Sequence, residues 1–169
     1  MTEPAPGAES VDLARRYFDA MSRHDLDAAA ACWRPGAVNH LAPIGALRVP
    51  DETRPFFEEV FAAMPDYRYE LLDVVAESDR VVVRWRATGR FTGARYRGIR
   101  PNGTRLELEG VDMLLVDGTL IRGNDAYWDE ASVARQIGLL PPRGSRQERF
   151  LVGLFNARSA LRSRLQRRS

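Results

Sequence analysis

Three observations predict an α+β fold. Apolar residues recur at helical spacing through the first third of the chain, strand-like alternation runs from Tyr67 to Trp128, and the two patterns are grouped rather than interleaved. Grouping argues for a curved antiparallel sheet that wraps around three N-terminal helices, followed by a C-terminal amphipathic helix. A length of 169 residues fits one core.

Residues 1–9, rich in Pro, Ala and Gly, read as a disordered lead-in, and Ser10 is a plausible N-cap. Val11, Ala14, Phe18 and Met21 then form an apolar stripe at intervals of 3, 4 and 3. Asp25 can cap a second short helix carrying Leu26, Ala29, Ala30 and Trp33, which Pro35-Gly36 would end. An extended piece from Ala37 to Leu41 and a Pro/Gly loop lead to a third helix, Thr53 to Met64, with Phe57, Val60, Phe61 and Met64 on one side and Pro65 closing it. Four strands follow: Tyr67–Ala76, Arg80–Phe91, Arg105–Val116 and Thr119–Trp128. Turn signals at Glu77-Ser78-Asp79, Pro101-Asn102-Gly103 and Asp117-Gly118 separate them. These elements make one domain, residues 10–142. Residues 143–169 form a separate basic helix that opens on the capping box Ser145-Arg146-Gln147-Glu148, with Phe150, Leu154, Ala157, Leu161 and Leu165 as its stripe.

Composition removes several classes of function. The chain is 44% hydrophobic and 28% charged, and no apolar run approaches the ~18 residues of a membrane span, so no membrane span is expected. The first residues lack the basic and apolar regions of a secretion signal, and a cytoplasmic location is expected. One cysteine, Cys32, allows no internal disulfide and no Cys-based zinc site. All 25 basic residues are arginine, so chemistry that needs a primary amine, such as a Schiff base or a phosphate-loop lysine, is excluded. Charge is unevenly placed: residues 1–142 carry net −5 and residues 143–169 carry net +7. That basic tail would attract nucleic acid or anionic lipid, but its apolar stripe is more economically explained by packing on its own domain or on a second subunit. No aromatic-basic interleaving supports nucleic-acid readout, and no nucleic-acid partner is expected.

The strongest chemical signal is the end of the last strand, Asn124-Asp125-Ala126-Tyr127-Trp128-Asp129. Regular alternation puts Asp125, Tyr127 and Asp129 on one face and Asn124, Ala126 and Trp128 on the other. If the first set lined a concave face, a carboxylate kept from water would have its pKa raised towards the range useful for proton transfer. Asp129 could equally cap a helix beginning near Glu130, with Asp125 in solvent. His40 is a candidate acid or base, or a buried structural histidine. His24, between helices, reads as a solvated loop residue. Asp112 sits in an apolar strand and needs a partner: an arginine, Arg84 or Arg86, or a place in a pocket. Trp33, Trp85 and Trp128 read first as core, with Trp85 also a candidate pocket residue. Two histidines and one cysteine make a metal site improbable, and no glycine-rich phosphate loop or nucleophile elbow is present. Proton chemistry without a cofactor, or binding alone, remains.

The order of helical hairpin, third helix and curled sheet is similar to that of the nuclear transport factor 2-like superfamily, and within it resembles the SnoaL-like polyketide cyclase group. The resemblance rests on Met64-Pro65-Asp66-Tyr67-Arg68, Asp79 to Trp85, Gly98 to Gly103, Gly110-Val111-Asp112, Tyr127-Trp128-Asp129 and Gln136 to Pro141, together spanning about residues 10–142. It implies a cone-shaped pocket, no cofactor, a hydrophobic oxygenated substrate such as a polyketide or terpenoid, and a homodimer. In that group an aspartate seven residues before the Gln of a Gln-(Leu/Ile)-Gly motif is the acid/base of an aldol ring closure. Asp129 stands seven before Gln136, and His40 matches a histidine often found after the helical hairpin. By this resemblance Asp129 would take a proton beside a carbonyl, while His40, Asn39 or Tyr127 would hold the enolate oxygen. Limonene epoxide hydrolases share the Tyr-aromatic-Asp ending, but their Arg-x-Asp is replaced by Arg84-Trp85-Arg86, which leaves epoxide opening as the second enzymatic expectation. A non-catalytic pocket for a hydrophobic ligand and an interaction module using the basic tail are the two other expectations.

Overall fold

The computed structural model of the chain describes residues 7–166, and side chains as far as residue 159. Helix α1, Ala8–Ser22, starts two residues before the expected Ser10, with Gly7 as its N-cap at a φ of 96°, a left-handed conformation that suits glycine. The helix therefore takes in the last two residues of the expected lead-in, and residues 1–6 lie outside the described residues. Leu13, Ala14, Tyr17, Phe18 and Met21 form its buried face. Helix α2, Leu26–Ala31, is capped as expected, the Asp25 carboxylate accepting from Ala28 N at 2.9 Å. It ends before Trp33, which instead opens strand β1, Trp33–Leu41. Pro35 and Gly36 lie inside that strand, where the register slips between Trp33 and Val38. A short edge strand, β2, Gly45–Arg48, has no counterpart among the expected elements.

Helix α3, Thr53–Ala63, precedes four long strands: β3, Arg68–Glu77; β4, Arg80–Arg90; β5, Arg105–Asp117; and β6, Leu120–Trp128. All lie within a residue or two of their expected limits. They form one sheet in the order β2-β1-β6-β5-β4-β3. β3 to β6 make an antiparallel meander, but β1 pairs parallel with β6, so the sheet is mixed rather than purely antiparallel. That pairing places Asn39 beside Asn124 and His40 beside Asp125.

The sheet curls and leaves its concave face to α1 and α3. Side chains alternate along it: Val81, Val83, Trp85 and Ala87 are buried on β4, whereas Arg84 and Arg86 point outward and reach Glu109 at 2.8 and 2.9 Å. A run of edge-to-face ring contacts, Phe18–Tyr69, Tyr67–Tyr69 and Tyr69–Trp85, ties α1 to β3 and β4. His24 belongs to this core rather than to solvent, because its ring stacks on Phe61 at 4.0 Å and its Nε2 lies 2.9 Å from Tyr67 O.

After β6 comes α4, Glu130–Gln136, and then α5, Arg146–Gln166. One arm of the capping box forms, Ser145 Oγ accepting from Glu148 N at 3.1 Å, while the Glu148 carboxylate accepts from Gly144 N rather than from Ser145 N. The side chains of residues 149–159 are all exposed, so this part of the helix does not pack on its own domain. Leu151, Val152 and Phe155 are exposed beside Phe150 and Leu154, and this wraps apolar surface around the helix instead of confining it to one stripe. The side chains of Leu161 and Leu165 lie outside the described residues. Among the described residues, no helix is long and apolar enough to cross a membrane.

One glycine sets a packing constraint. Gly110 on β5 lies opposite Trp85, and a Cβ there would stand 2.3 Å from the indole ring. Gly110→Ala must therefore displace Trp85. The expected outcome is a loss of roughly 1–3 kcal/mol in chemical denaturation, together with a changed near-ultraviolet tryptophan signal.

Candidate functional site

Between the concave face, α1, α3 and α4 lies an aromatic-walled cavity. It measures about 80 Å³ and opens to solvent. Phe18, Phe57, Tyr69, Phe91, Tyr96 and Trp128 supply much of the wall. Asp112 and Asn39 break this apolar lining.

Asp112 is on β5 and only 6% exposed. Its Oδ1 accepts from Trp85 Nε1 at 2.7 Å, and its Oδ2 accepts from Asn124 Nδ2 at 2.7 Å. The same Asn124 nitrogen also donates to Asn39 Oδ1 at 3.0 Å. Four residues on four strands thus form one buried polar cluster: Asn39 on β1, Asn124 on β6, Asp112 on β5 and Trp85 on β4. Burial pushes the Asp112 carboxyl up to about 6, against the opposing pull of the hydrogen bonds from Trp85 and Asn124, which favour the charged form. Burial also raises the Tyr17, Tyr67 and Tyr69 phenols well above their ordinary range, so all three stay protonated at neutral pH.

The structure sorts the sequence candidates into two sets. Asn39, Trp85 and Asp112 line the cavity. Asp125, Tyr127 and His40 do not: the face expected to be concave is the outer one. His40 Nδ1 lies 2.9 Å from Asp125 Oδ1 on the solvent side of the sheet, where both side chains are nearly half exposed, and Tyr127 is 46% exposed beside them. It is the other alternation set, Asn124, Ala126 and Trp128, that faces inward.

Asp129 lies beyond the end of β6, outside the cavity lining. Its Oδ1 accepts from Ser132 N at 2.9 Å as the N-cap of α4, and its Oδ2 lies 3.8 Å from Arg143. Gln136, seven residues on, is equally structural. It accepts from Glu107 N at 2.8 Å and donates to Glu107 O at 2.7 Å, clamping α4 to β5. The spacing that nominates Asp129 thus measures the length of a capped and clamped helix. Asp112 has neither of the arginine partners considered for it, because Arg84 and Arg86 occupy the opposite parity on β4. Asn124 is a site residue that the sequence reasoning missed. Its signal was present, since alternation separates its face, but which face is concave depends on the sheet's curvature.

At the cavity's edge, Glu130 accepts from Trp128 Nε1 at 2.8 Å and lies 3.6 Å from Arg97. Among the described residues, no three His, Cys, Asp or Glu side chains converge as metal ligands would.

A curled mixed sheet closed by helices over a buried acid defines the class: a small cone-shaped α+β protein of the nuclear transport factor 2-like superfamily. The chain belongs to the SnoaL-like domain family, which matches residues 14–124. Among solved structures, it is similar to AclR of Streptomyces galilaeus, a suggested hydroxylase, at 23% identity over 94% of this chain and 95% of that one, with a TM-score of 0.73. A SnoaL-like polyketide cyclase candidate from Jannaschia sp. CCS1 matches at 21% identity over 83% and 100%, with a TM-score of 0.72. IdmH of Streptomyces antibioticus, a polyketide cyclase candidate, matches at 21% over 78% and 99%, with a TM-score of 0.68. No protein with a curated description matches the sequence.

The raised Asp112 carboxyl makes a stability prediction. An unfolded aspartate titrates near ~3.9, so the folded state holds this proton more tightly, and stability from this group falls as pH rises from about 4 to about 6. Above that window the penalty is complete, at about 2–3 kcal/mol. Urea midpoints measured from pH 4 to 7 should show this loss as the difference between the wild type and Asp112→Asn, in which it is absent.

Proposed function

We propose that the protein is a cofactor-independent enzyme of the polyketide cyclase or isomerase type, in which Asp112 is the acid/base. The observation carrying this reading is a carboxylate buried in an aromatic cavity and held there by two neutral donors, with no arginine to keep it permanently ionised. Its titration near pH 6 leaves it ionised at neutral pH yet able to hold a proton during turnover. The family match and the cyclase candidates among the similar structures favour the same class of chemistry.

The geometry supports a short sequence of steps on a hydrophobic, oxygenated substrate. Asp112 takes a proton from a carbon beside a carbonyl; the C–H bond breaks, an O–H bond forms on the carboxyl, and the electron pair passes to the carbonyl oxygen. In this reading the Asn39 amide nitrogen, which has no acceptor among the described residues and belongs to a residue lining the cavity, holds that enolate oxygen. In a ring closure, the enolate carbon then adds to a second carbonyl of the same molecule, and the new alkoxide recovers the proton from Asp112. Aromatic walls keep water from competing for the enolate.

Asp112→Asn should fold and lose at least ~100-fold in kcat, the usual share of a general base, whereas Asp129→Ala should retain activity and lose only helix-cap stability, about 1 kcal/mol. The check is turnover of a panel of poly-β-carbonyl compounds beside thermal melts. Full activity in Asp112→Asn sinks the assignment, and saturable binding with no product under any condition makes the cavity a ligand carrier. In the wild type, kcat/KM should rise with pH through about 6, as the free-enzyme base ionises.

We also propose that the outer sheet face seats a second copy of the chain. Val75, Val82 and Met113 stand in one register row of β3, β4 and β5, exposed and leading to the His40–Asp125 pair. Sedimentation should give a dimer for the wild type and a monomer for Val82→Glu/Met113→Glu. A monomeric wild type at tens of micromolar overturns the assignment.

A further inference from the structure

The hydrogen bonds around Asn124 are unbalanced. Asn124 is 3% exposed, and its single amide nitrogen serves two acceptors, Asp112 Oδ2 and Asn39 Oδ1, while its own Oδ1 is buried with no partner among the described residues. A buried carbonyl oxygen without a donor is costly, and rotating the amide by half a turn would move that oxygen out of its unpartnered position. The rotated form, however, would set Asn124 Oδ1 against the Asp112 carboxylate and the Asn39 carbonyl, three acceptors with no proton among them. An ionised Asp112 therefore holds Asn124 in the observed orientation. Asn124 in turn holds the Asn39 carbonyl inward, which leaves the Asn39 NH₂ group for the cavity.

Protonation of Asp112 removes the reason for this arrangement. An Oδ2–H can donate to Asn124 Oδ1, so the rotated amide becomes satisfied on that side. The Asn124 nitrogen then leaves Asn39 Oδ1, and Asn39 regains a bond only by turning its own NH₂ to Asn124 and its carbonyl to the cavity.

We propose that Asn124 is a positioning residue that ties the orientation of the Asn39 amide to the charge on Asp112. Resting on the reading of Asp112 as the acid/base, this arrangement accompanies an ionised base with an N–H donor at the oxyanion position. A substrate oxygen bound there keeps the Asn39 NH₂ group in place while Asp112 carries the proton, so the amides turn only in the empty cavity at low pH. The other ionisable groups facing this cavity are Tyr17 from α1, Tyr67 just before β3, Tyr69 from β3, Tyr96 from the loop after β4, and Glu130 from α4 at the cavity's edge. The four phenols, all raised by burial, stay protonated throughout the relevant range, while Glu130 is held by Trp128 and Arg97. His40 and Asp125 lie on the far side of the sheet.

Side-chain NMR on the full chain tests the coupling without any substrate. In ¹⁵N-labelled wild type, the Asn39 NH₂ signals should shift between pH 4.5 and 8 with the same midpoint as the Asp112 carboxyl carbon, about 6. The shift should persist in Glu130→Gln and vanish in Asp112→Asn. In Asn124→Leu the Asp112 midpoint should move upward, because a donor to the charged form is lost, and the Asn39 signals should no longer follow it. Turnover should fall by roughly tenfold or more in kcat with KM little changed, and the loss should be smaller in an Asn39→Ala background, since the two residues act in one chain. Asn39 signals that stay flat in the wild type, or a response that survives in Asn124→Leu, overturn the proposal. The wild-type and Asp112→Asn titrations decide the matter even if Asn124→Leu does not fold. Retained turnover in Asp112→Asn would instead remove the acid/base reading and leave the amide coupling standing.

Discussion

A carboxylate in an aromatic interior must be given hydrogen bonds, and meeting that demand organises the centre of this molecule. Asp112 has no arginine within reach, so its two oxygens are satisfied by neutral donors, the Trp85 indole and the Asn124 amide. Each donor makes its own demand. The indole needs room, which Gly110 provides by having no side chain where the ring lies. The amide needs a second acceptor for its remaining proton, which Asn39 provides from β1. A full countercharge would have stabilised the ion and held the group far below neutrality; neutral donors only partly offset the burial and leave the carboxyl near 6. The pKa of the site follows from which partners the strands put inside.

Strand parity decides that. On β4, residues 81, 83, 85 and 87 face the core, so Arg84 and Arg86 are committed to the outer face, where Glu109 meets both. On β6, a register slip opposite Leu115 and Val116 brings Asn124 and Ala126 inward and sends Asp125 and Tyr127 out. Pairing of β1 alongside β6 then puts Asn39 next to Asn124 inside and His40 next to Asp125 outside. The sheet therefore carries two polar clusters back to back, one residue apart in sequence, in opposite environments. The inner is shut in with aromatic rings; the outer is half in water, where ion pairs contribute little to stability.

The fold class, the helical hairpin, the third helix and all four long strands were legible because each rests on local periodicity and turn chemistry. The parallel β1–β6 contact and β2 were not, since a short strand interrupted by Pro35 and Gly36 has no period of its own. For the site, alternation separated Asn124 from Asp125, and Asn39, Trp85 and Asp112 were named as pocket residues, but Asn39 was grouped with His40, which lies on the other face. The side of the sheet on which the cavity forms was not, because it depends on the direction of curl and on where the helices pack. Histidine and paired carboxylates drew attention to the outer set on chemical type, whereas Asn124 did not.

Asp129 shows how a correct spacing can hide a structural cause. A residue that ends a strand, caps a helix and stands seven positions before a glutamine that clamps that helix to the sheet has its spacing dictated by helix geometry. Asp129 and Gln136 hold α4 across the cavity's open side, where Val133 and Ile137 complete the wall and Glu130 stands at the edge. Asn102 strengthens the same closure by donating to Ile137 O from the loop after β4. The pair acts on the cavity by holding α4, whose Val133 and Ile137 form part of its wall. In the proposed mechanism the proton chemistry lies deep in the sheet with Asp112 and its three neighbours. Helix α4 adds to the cavity wall, and its capping motif resembles, in sequence alone, a catalytic signature.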